Sequence, residues 1–292
     1  MEIWYFLVIL SSVLMGLSTI VEKVTLKREH ATQFSAALTP LVTLLSLAFI
    51  PFANFSISAE QLLVLVVLSA FNAYGFLLTA RVFKHGELSI ASPVISSLPT
   101  LLVVVFAFLF LSETLSIWQY AIVAGMVITV YVLLFTKGRQ VAMSGPEGKK
   151  YTYVLLFYCV LSAATTIVSK YLLITMNPFT FLILGGVFQS VFFTLMISLR
   201  YGGIREILDS VKAYKLPLAA NALLVTCYRV TYFVALTLAP VSLAQPLRNT
   251  VYVVITVAFS GLLFKEQHIA KKLALGMVLL LLVYLLVANP LS

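Results

Sequence analysis

Two arginines lie inside apolar segments that are long enough to cross a membrane. Arg229 is near the middle of one segment (216–238), and Arg248 is seven residues inside the next (241–264). An arginine side chain stays charged in a protein, and a charge at the centre of a bilayer costs at least about 2.5–3.5 kcal/mol. The pair therefore predicts a water-filled cavity that receives an anionic group. The structural alternative is that the side chains snorkel outward or cap backbone carbonyls.

Neither arginine has an acidic partner at the same depth in the sequence. All ten Asp and Glu residues fall at the ends of the apolar segments or in the loops between them. We therefore expect both arginines to be unpaired in the empty protein. A carboxylate or phosphate group of a substrate is the natural partner for a guanidinium, which can grip it with two hydrogen bonds.

A polar stripe accompanies Arg248 on its helix. Ser242, Gln245 and Asn249 follow one another at i, i+3 and i+7, which places them on one helical face together with Arg248 and Tyr252. Polar groups in hydrocarbon are costly unless neighbours or water satisfy them, so this face is predicted to line the interior of the bundle. Hydrogen bonding between helices is the alternative role for such residues.

The predicted substrate-binding set comes from four helices. Tyr228 and Tyr232 flank Arg229 at i−1 and i+3, and the third apolar segment adds Asn72, with Tyr74 and Thr79 as further candidates. The set is Arg229, Arg248, Asn249, Gln245, Tyr252, Tyr228, Tyr232, Asn72, Ser92 and Ser96.

Composition indicates the elements that must hold these residues. Of the 292 residues, 62% are hydrophobic and only 10% are charged, whereas a soluble chain carries about 25% charged residues. This excludes a soluble domain, a disordered chain and a disulfide-rich scaffold. Because a spanning helix needs about 20 apolar residues, the sequence predicts an all-α integral membrane protein with ten transmembrane helices. Their predicted ranges are 3–23, 34–52, 60–80, 88–111, 117–135, 152–173, 178–200, 216–238, 241–264 and 270–288.

The distribution of basic residues predicts the orientation. Sixteen of the nineteen Lys and Arg residues fall in the loops after odd-numbered helices, and Lys170 alone falls on the opposite side. Basic residues in short loops stay in the cytoplasm. The odd-numbered loops are therefore predicted to be cytoplasmic, and both termini extracytoplasmic, in a multi-pass protein of the cell membrane.

A weak internal repeat divides the chain into two halves. Residues 19–23 recur as 166–170 at an offset of 147, and residues 91–94 recur as 244–247 at an offset of 153. Five helices per copy is an odd number, so the second copy enters the membrane from the opposite side. Such inverted repeats commonly enclose a transport site. We predict a first repeat at 1–140, a basic cytoplasmic linker at 141–151 and a second repeat at 152–292.

The repeat also relates the polar stripes. At the offset of 153, Ser242, Gln245 and Asn249 correspond to Ser89, Ser92 and Ser96, whereas Arg248 and Arg229 correspond to Ile95 and Phe76. Both copies therefore keep a polar stripe, and only the second adds positive charge.

The end of each half carries a pattern of a proline, an apolar run, a glutamate at a turn and a glycine-bearing fifth helix. This pattern comprises Pro93 or Pro99, Glu113, Gln119 and Gly125 in the first half, and Pro246, Glu266 and Gly276 in the second. With its 5 + 5 helices, the chain resembles the EamA-type members of the drug/metabolite transporter superfamily. The resemblance implies transport, and it places the termini in the cytoplasm, against the charge count. Pro93 and Pro246 loosen their helices and are candidate hinges for alternating access.

Few residues in the sequence could support proton coupling, nucleotide binding, metal binding or catalysis. All three histidines lie in basic loops, and Glu22, at the end of the first helix, is the one marginal carboxyl group for proton coupling. The stretch 145–150 lacks the spacing of a phosphate-binding loop. We therefore expect no metal, no cofactor and no enzymatic activity, and exchange or facilitated diffusion rather than proton symport.

Several functions remain after these exclusions. The favoured one is a secondary transporter of a small organic metabolite bearing a carboxylate or phosphate, and the alternative is a flippase for an amphipathic or lipid-linked anion. A membrane enzyme or receptor fits less well. The expected partners are a small-molecule substrate and the lipid bilayer, without nucleic acid, and the sequence leaves open whether two copies pair as a homodimer.

Overall fold

The described part of the chain folds almost entirely into α-helices. The computed structural model describes residues 3–85, 88–135, 146–200, 203–264 and 269–288, and no β-strand occurs among them. A 3-10 helix (Leu47–Phe52) continues the second α-helix. The α-helices are α1 (Ile3–Leu26), α2 (Ala31–Ser46), α3 (Ala59–His85), α4 (Leu88–Leu111), α5 (Ile117–Phe135), α6 (Pro146–Thr175), α7 (Pro178–Arg200), α8 (Ile204–Ala213), α9 (Lys215–Leu238), α10 (Val241–Phe264) and α11 (Ile269–Ala288).

The apolar helices are those of a multi-pass membrane protein. Within the described ranges, seven helices are long and apolar enough to cross a bilayer, and Pro99–Leu111 and Ile117–Thr129 are shorter apolar helical stretches. Large apolar side chains also point outward, as at Phe110, which is 70% exposed. Such exposure is expected of a surface that contacts lipid. The total of ten spans stays a prediction.

Several helices extend beyond their predicted bounds. Helix α3 continues to His85, five residues past its predicted end, and α6 begins at Pro146 inside the predicted linker. The prediction followed hydropathy, whereas helical hydrogen bonding continues through charged residues at the membrane edge. Helix α8 was predicted as a loop. It falls where the repeat offset changes from 147 to 153 and so accounts for the extra residues of the second half.

Reciprocal side-chain caps begin two of the helices. Before α5, the Ser116 amide donates to Gln119 Oε1 (2.9 Å), and the Gln119 amide donates to Ser116 Oγ (3.3 Å). Ser58 and Gln61 make the same pair of bonds before α3. Each cap satisfies amides that have no partner inside the helix. The cap at Ser116 also fixes the turn that carries Glu113.

Helices from both halves pack at the centre of the bundle. Helix α1 packs against α9 and α10, and α4 packs against α10 and α6. Ser11 Oγ donates to the Tyr228 carbonyl (2.8 Å), and Ser18 Oγ donates to Asn221 Oδ1 (2.6 Å). Residue numbers rise along α1 as they fall along α9, so these two helices are antiparallel and end at opposite ends of the bundle.

The orientation of the termini has a direct test. We expect a reporter fused after Ser292 to be extracytoplasmic, because sixteen basic residues lie in the odd-numbered loops and such residues resist translocation. An alkaline phosphatase fusion should be active, and a green fluorescent protein fusion should stay dark. The opposite pair of results would show that the charge rule fails for this chain.

Candidate functional site

One cavity collects most of the predicted site residues. It has a volume of about 250 Å³ and is lined by α1, α3, α4, α6, α7, α9 and α10. Nine of the ten predicted residues line it, namely Asn72, Ser96, Tyr228, Arg229, Tyr232, Gln245, Arg248, Asn249 and Tyr252.

The cavity is built from equivalent positions of the two repeats. On α1 it is lined by Met15, Ser18, Thr19 and Glu22. On α6 it is lined by Ser162, Thr165, Thr166 and Ser169, each 147 residues later. Positions 75, 76, 79 and 83 of α3 and positions 228, 229, 232 and 236 of α9 are related in the same way by the offset of 153. Equivalent positions of the two repeats therefore line the cavity. Its charged residues, in contrast, have no charged counterpart in the other repeat.

Arg248 is held between two tyrosine rings. The centre of its guanidinium lies 3.9 Å from the Tyr232 ring centroid and 5.5 Å from that of Tyr228. The hydroxyl of Tyr232 in turn hydrogen-bonds Gln245 Oε1. Aromatic faces attract a cation without neutralising it. The Nε atom of Arg248 is buried and has no hydrogen-bond partner, so the group is oriented but left with a free donor.

Arg229 is partnered, contrary to expectation. Its Nη1 atom donates to Gln189 Oε1 at 3.0 Å, and both residues line the cavity. No carboxylate is needed for this contact, because a neutral amide oxygen satisfies one donor of the guanidinium. Arg229 therefore keeps its charge but is tied to α7.

Asn249 and Ser92 join helices rather than offering free groups. The Asn249 amide donates to the Ser96 carbonyl (2.9 Å) and to Thr100 Oγ1 (2.8 Å), which links α10 to α4. Ser92 is the predicted site residue that does not line the cavity: it is fully buried and shares a hydrogen bond with Thr256 Oγ1 (2.9 Å). A substrate contact at Ser92 or Asn249 stays a prediction, and at Asn249 both amide hydrogens are already used.

The candidate site residues on α3 lie on two different sides of the helix. Asn72 and Thr79 line the cavity, whereas Tyr74 is 45% exposed and meets Phe157 edge to face, with ring centroids 6.2 Å apart. Residues at i and i+2 of a helix point in different directions, so Asn72 and Tyr74 could not share one face.

Glu22 belongs to the cavity wall. It lies four residues before the end of α1, is 5% exposed, and its Oε1 atom has no hydrogen-bond partner. Its repeat counterpart is Ser169, so the carboxyl group breaks the symmetry as the arginines do. The sequence correctly predicts that Glu22 lies near the end of a spanning helix. It does not reveal that the side chain is buried.

The candidate hinges lie within continuous helices. Pro93 is inside α4 and Pro246 is inside α10, and neither interrupts its helix. Their role as hinges stays a prediction. Glu266, the second glutamate of the sequence pattern, lies outside the described residues.

The α6 hydroxyls and Gln189 were missed by the sequence analysis. A signal for the hydroxyls was present, because Ser162, Thr165, Thr166 and Ser169 are spaced i, i+3, i+4 and i+7 on one helical face. Gln189 gave no such signal, since the residues three and four positions away on either side are Gly185, Gly186, Phe192 and Phe193. In the part of the chain that the structure describes, no three His, Cys, Asp or Glu side chains cluster to hold a metal ion.

Comparison with known families identifies the class of protein to which the chain belongs. The EamA-like transporter family matches residues 2–135 and 150–289, which are two copies that together cover nearly the whole chain. The chain belongs to the EamA-like transporter family. It is a membrane transporter of the drug/metabolite type, as the resemblance implied.

Solved structures give this EamA-like transporter the same fold. A crystal structure of a chain that is 14% identical superposes with a TM-score of 0.72, covering 98% of this chain and 95% of that chain. At this identity the likeness concerns the fold alone. No curated protein matches the sequence significantly, so the substrate has to be argued from the cavity.

Proposed function

We propose that this EamA-like transporter is a secondary carrier of a small organic metabolite that bears a carboxylate or phosphate group, moved by alternating access. The observation that carries the proposal is Arg248, a charged side chain that lines the cavity and whose buried Nε atom has no hydrogen-bond partner. A charged donor that is left unsatisfied in the interior is costly. An anionic substrate would relieve that cost while it is bound.

The tyrosine rings favour this use of Arg248 over a structural one. They hold the guanidinium at 3.9 and 5.5 Å and provide attraction without a counter-charge. A buried ion pair would already satisfy the arginine and would compete with a substrate. The surroundings of Arg248 therefore orient a planar donor group before the anion arrives, which lowers the ordering cost of binding.

The size of the cavity favours a metabolite over a lipid-linked anion. Its volume of about 250 Å³ is below the roughly 300–1,000 Å³ that is usual for pockets of drug-sized ligands. A flippase would have to enclose a larger headgroup or open sideways to lipid. We therefore keep the flippase as the second candidate.

A thermal-shift panel on detergent-purified protein tests the proposal. Organic acids, sugar phosphates and nucleotides should each be paired with a neutral analogue, such as the amide or the dephosphorylated compound, and N-acetylated amino acids with their amides. We expect at least one anion to stabilise the protein, by about 2.7 kcal/mol at a hundredfold excess over its Kd. Its neutral analogue should have no effect. Stabilisation by neutral or cationic solutes alone would contradict an anion carrier.

Uptake of the same substrate into proteoliposomes distinguishes the possible energy sources of transport. Exchange or facilitated diffusion predicts that uptake into proteoliposomes depends on substrate inside the vesicle or on its gradient, and is indifferent to a pH gradient. Glu22 supports the competing mechanism, because a buried carboxyl group in a transport cavity can carry a proton. Uptake that stops when an uncoupler removes the pH gradient would favour proton symport through Glu22.

A further inference from the structure

The turn between α9 and α10 is held by two side chains of opposite charge. Lys170, on α6, donates from Nζ to the carbonyl oxygens of Leu236 (2.6 Å) and Ala239 (2.8 Å). Glu113, on the turn between α4 and α5, accepts hydrogen bonds from the amides of Val241 (3.0 Å) and Ser242 (2.9 Å). Its Oε2 atom also accepts from Ser242 Oγ (2.6 Å).

Each charge matches the helix end that it contacts. The last carbonyls of α9 and the first amides of α10 have no partners within their helices. A cation stabilises the carbonyl end of a helix and an anion stabilises the amide end. Lys170 joins α6 to α9 within the second repeat, whereas Glu113 comes from the first repeat. The bonds of Glu113 therefore connect the two halves of the transporter.

The clamped turn leads directly into the candidate binding site. Arg248 is seven residues beyond Val241 on α10, and Tyr232 is seven residues before Ala239 on α9. The guanidinium and the ring that it stacks on thus lie on the two helices that the turn connects. A displacement of this turn relative to the first repeat would therefore change both the access to the cavity and the position of the Arg248 guanidinium.

The first repeat contains the counterpart of the lysine contact. Lys23, on α1, donates from Nζ to the carbonyl of Phe83, on α3 (2.5 Å). Lys23 and Lys170 differ by 147 residues, and Phe83 and Leu236 differ by 153, which are the offsets that relate the repeats. Because α1 and α9 are antiparallel, the two lysine contacts lie at opposite ends of the bundle.

We propose that these contacts are paired latches of alternating access, a proposal that rests on the transport function above. The first latch consists of Glu113 and Lys170 on the α9–α10 turn, and it holds the cavity closed at that face. The second latch is Lys23 on the end of α3, and it does the same at the opposite face. Each face opens when its own latch breaks, so the relative strength of the two sets the balance between the two conformations.

Cysteine labelling from each face tests the latches without any substrate. The background has Cys159 and Cys227 replaced by alanine, and Ser162→Cys on the cavity wall is the reporter. A membrane-impermeant maleimide is added to either side of oriented vesicles. The test variants are Glu113→Gln, Lys170→Met and Lys23→Met, and Lys212→Met, an exposed residue of α8, controls for loss of one positive charge.

We expect opposite effects from the two latches. Glu113→Gln and Lys170→Met should raise labelling from the α9–α10 face at least tenfold, because they remove charge-assisted hydrogen bonds, and should not raise it from the other face. Lys23→Met should do the reverse, and Lys212→Met should change neither rate. Equal increases at both faces, or no change in any variant, would overturn the proposal.

Milder variants keep the test decisive if a latch variant misfolds. Ser242→Ala removes one of the three bonds to Glu113 and keeps both amides, so it should raise labelling from the α9–α10 face by a smaller factor. Lys170→Arg keeps the charge and should stay close to the unmodified rate. If Ser242→Ala and Lys170→Arg behave identically, the latch is wrong. Since no substrate is used, this result stands apart from the anion-binding experiments.

Discussion

Arg248→Ala is expected to weaken binding of an anionic substrate by more than tenfold while the protein stays folded. A hydrogen bond to a charged group contributes roughly 1.5–3 kcal/mol, and this guanidinium has a buried Nε donor without a protein partner. Arg248→Lys should rescue binding only in part, because an ammonium lacks the planar fork that grips a carboxylate or phosphate. Calorimetry with the best anion of the thermal-shift panel measures both changes.

Arg229→Ala provides the internal comparison for this experiment. Arg229 already donates to Gln189 Oε1, so we expect a smaller loss of affinity and a lower melting temperature than for Arg248→Ala. If both variants melt early and the surviving protein binds normally, the arginines have structural roles. Transport at the unmodified rate by a well-folded double variant would contradict the anion site.

The helix face that carries Arg248 could be predicted because its signal is local. Gln245, Arg248 and Tyr252 lie on one face by helical periodicity alone, and the cost of a charge in hydrocarbon directs that face inward. The structure places all three on the cavity wall. The same reasoning could not find the partner of Arg229, because Gln189 is 40 residues away on another helix. A pairing of this kind depends on how helices pack.

Glu22 illustrates a second limit of sequence reasoning. Its position near the end of an apolar segment made it only a marginal candidate for proton coupling, but the residue is 5% exposed. Depth along a helix is readable from the sequence, whereas burial depends on which neighbours cover that face. The repeat offsets carried more information: position 22 corresponds to position 169, and both line the cavity. Comparing the two halves position by position therefore predicts shared walls, and it does not predict which half carries the charge.

Gly16 on α1 packs against Ile255 on α10, and substitution there is expected to destabilise the protein. A Cβ atom at Gly16 would lie 2.5 Å from Cγ2 and 3.0 Å from Cβ of Ile255. Ile255 is β-branched and has little rotamer freedom in a helix, so the helices would have to separate. Gly16→Ala should cost about 1–3 kcal/mol, as overpacking does elsewhere, and should lower the thermal midpoint of the purified protein.

Two companion variants separate this contact from the intrinsic effect of replacing a glycine. Gly276→Ala is the matched control, because its Cβ would meet Val254 Cγ2 of the same helix α10 at an ordinary 3.8 Å. It should be neutral or slightly stabilising, since alanine favours helix by about 1 kcal/mol over glycine. Ile255→Ala should lower the midpoint less in the Gly16→Ala background than in the unmodified protein, because it removes the clashing Cγ2 atom. If Gly16→Ala melts no earlier than Gly276→Ala, or if Ile255→Ala lowers the midpoint equally in both backgrounds, then α1 and α10 do not meet at Gly16. The cavity residues that flank it, Met15, Ser18 and Thr19, would then need a different placement.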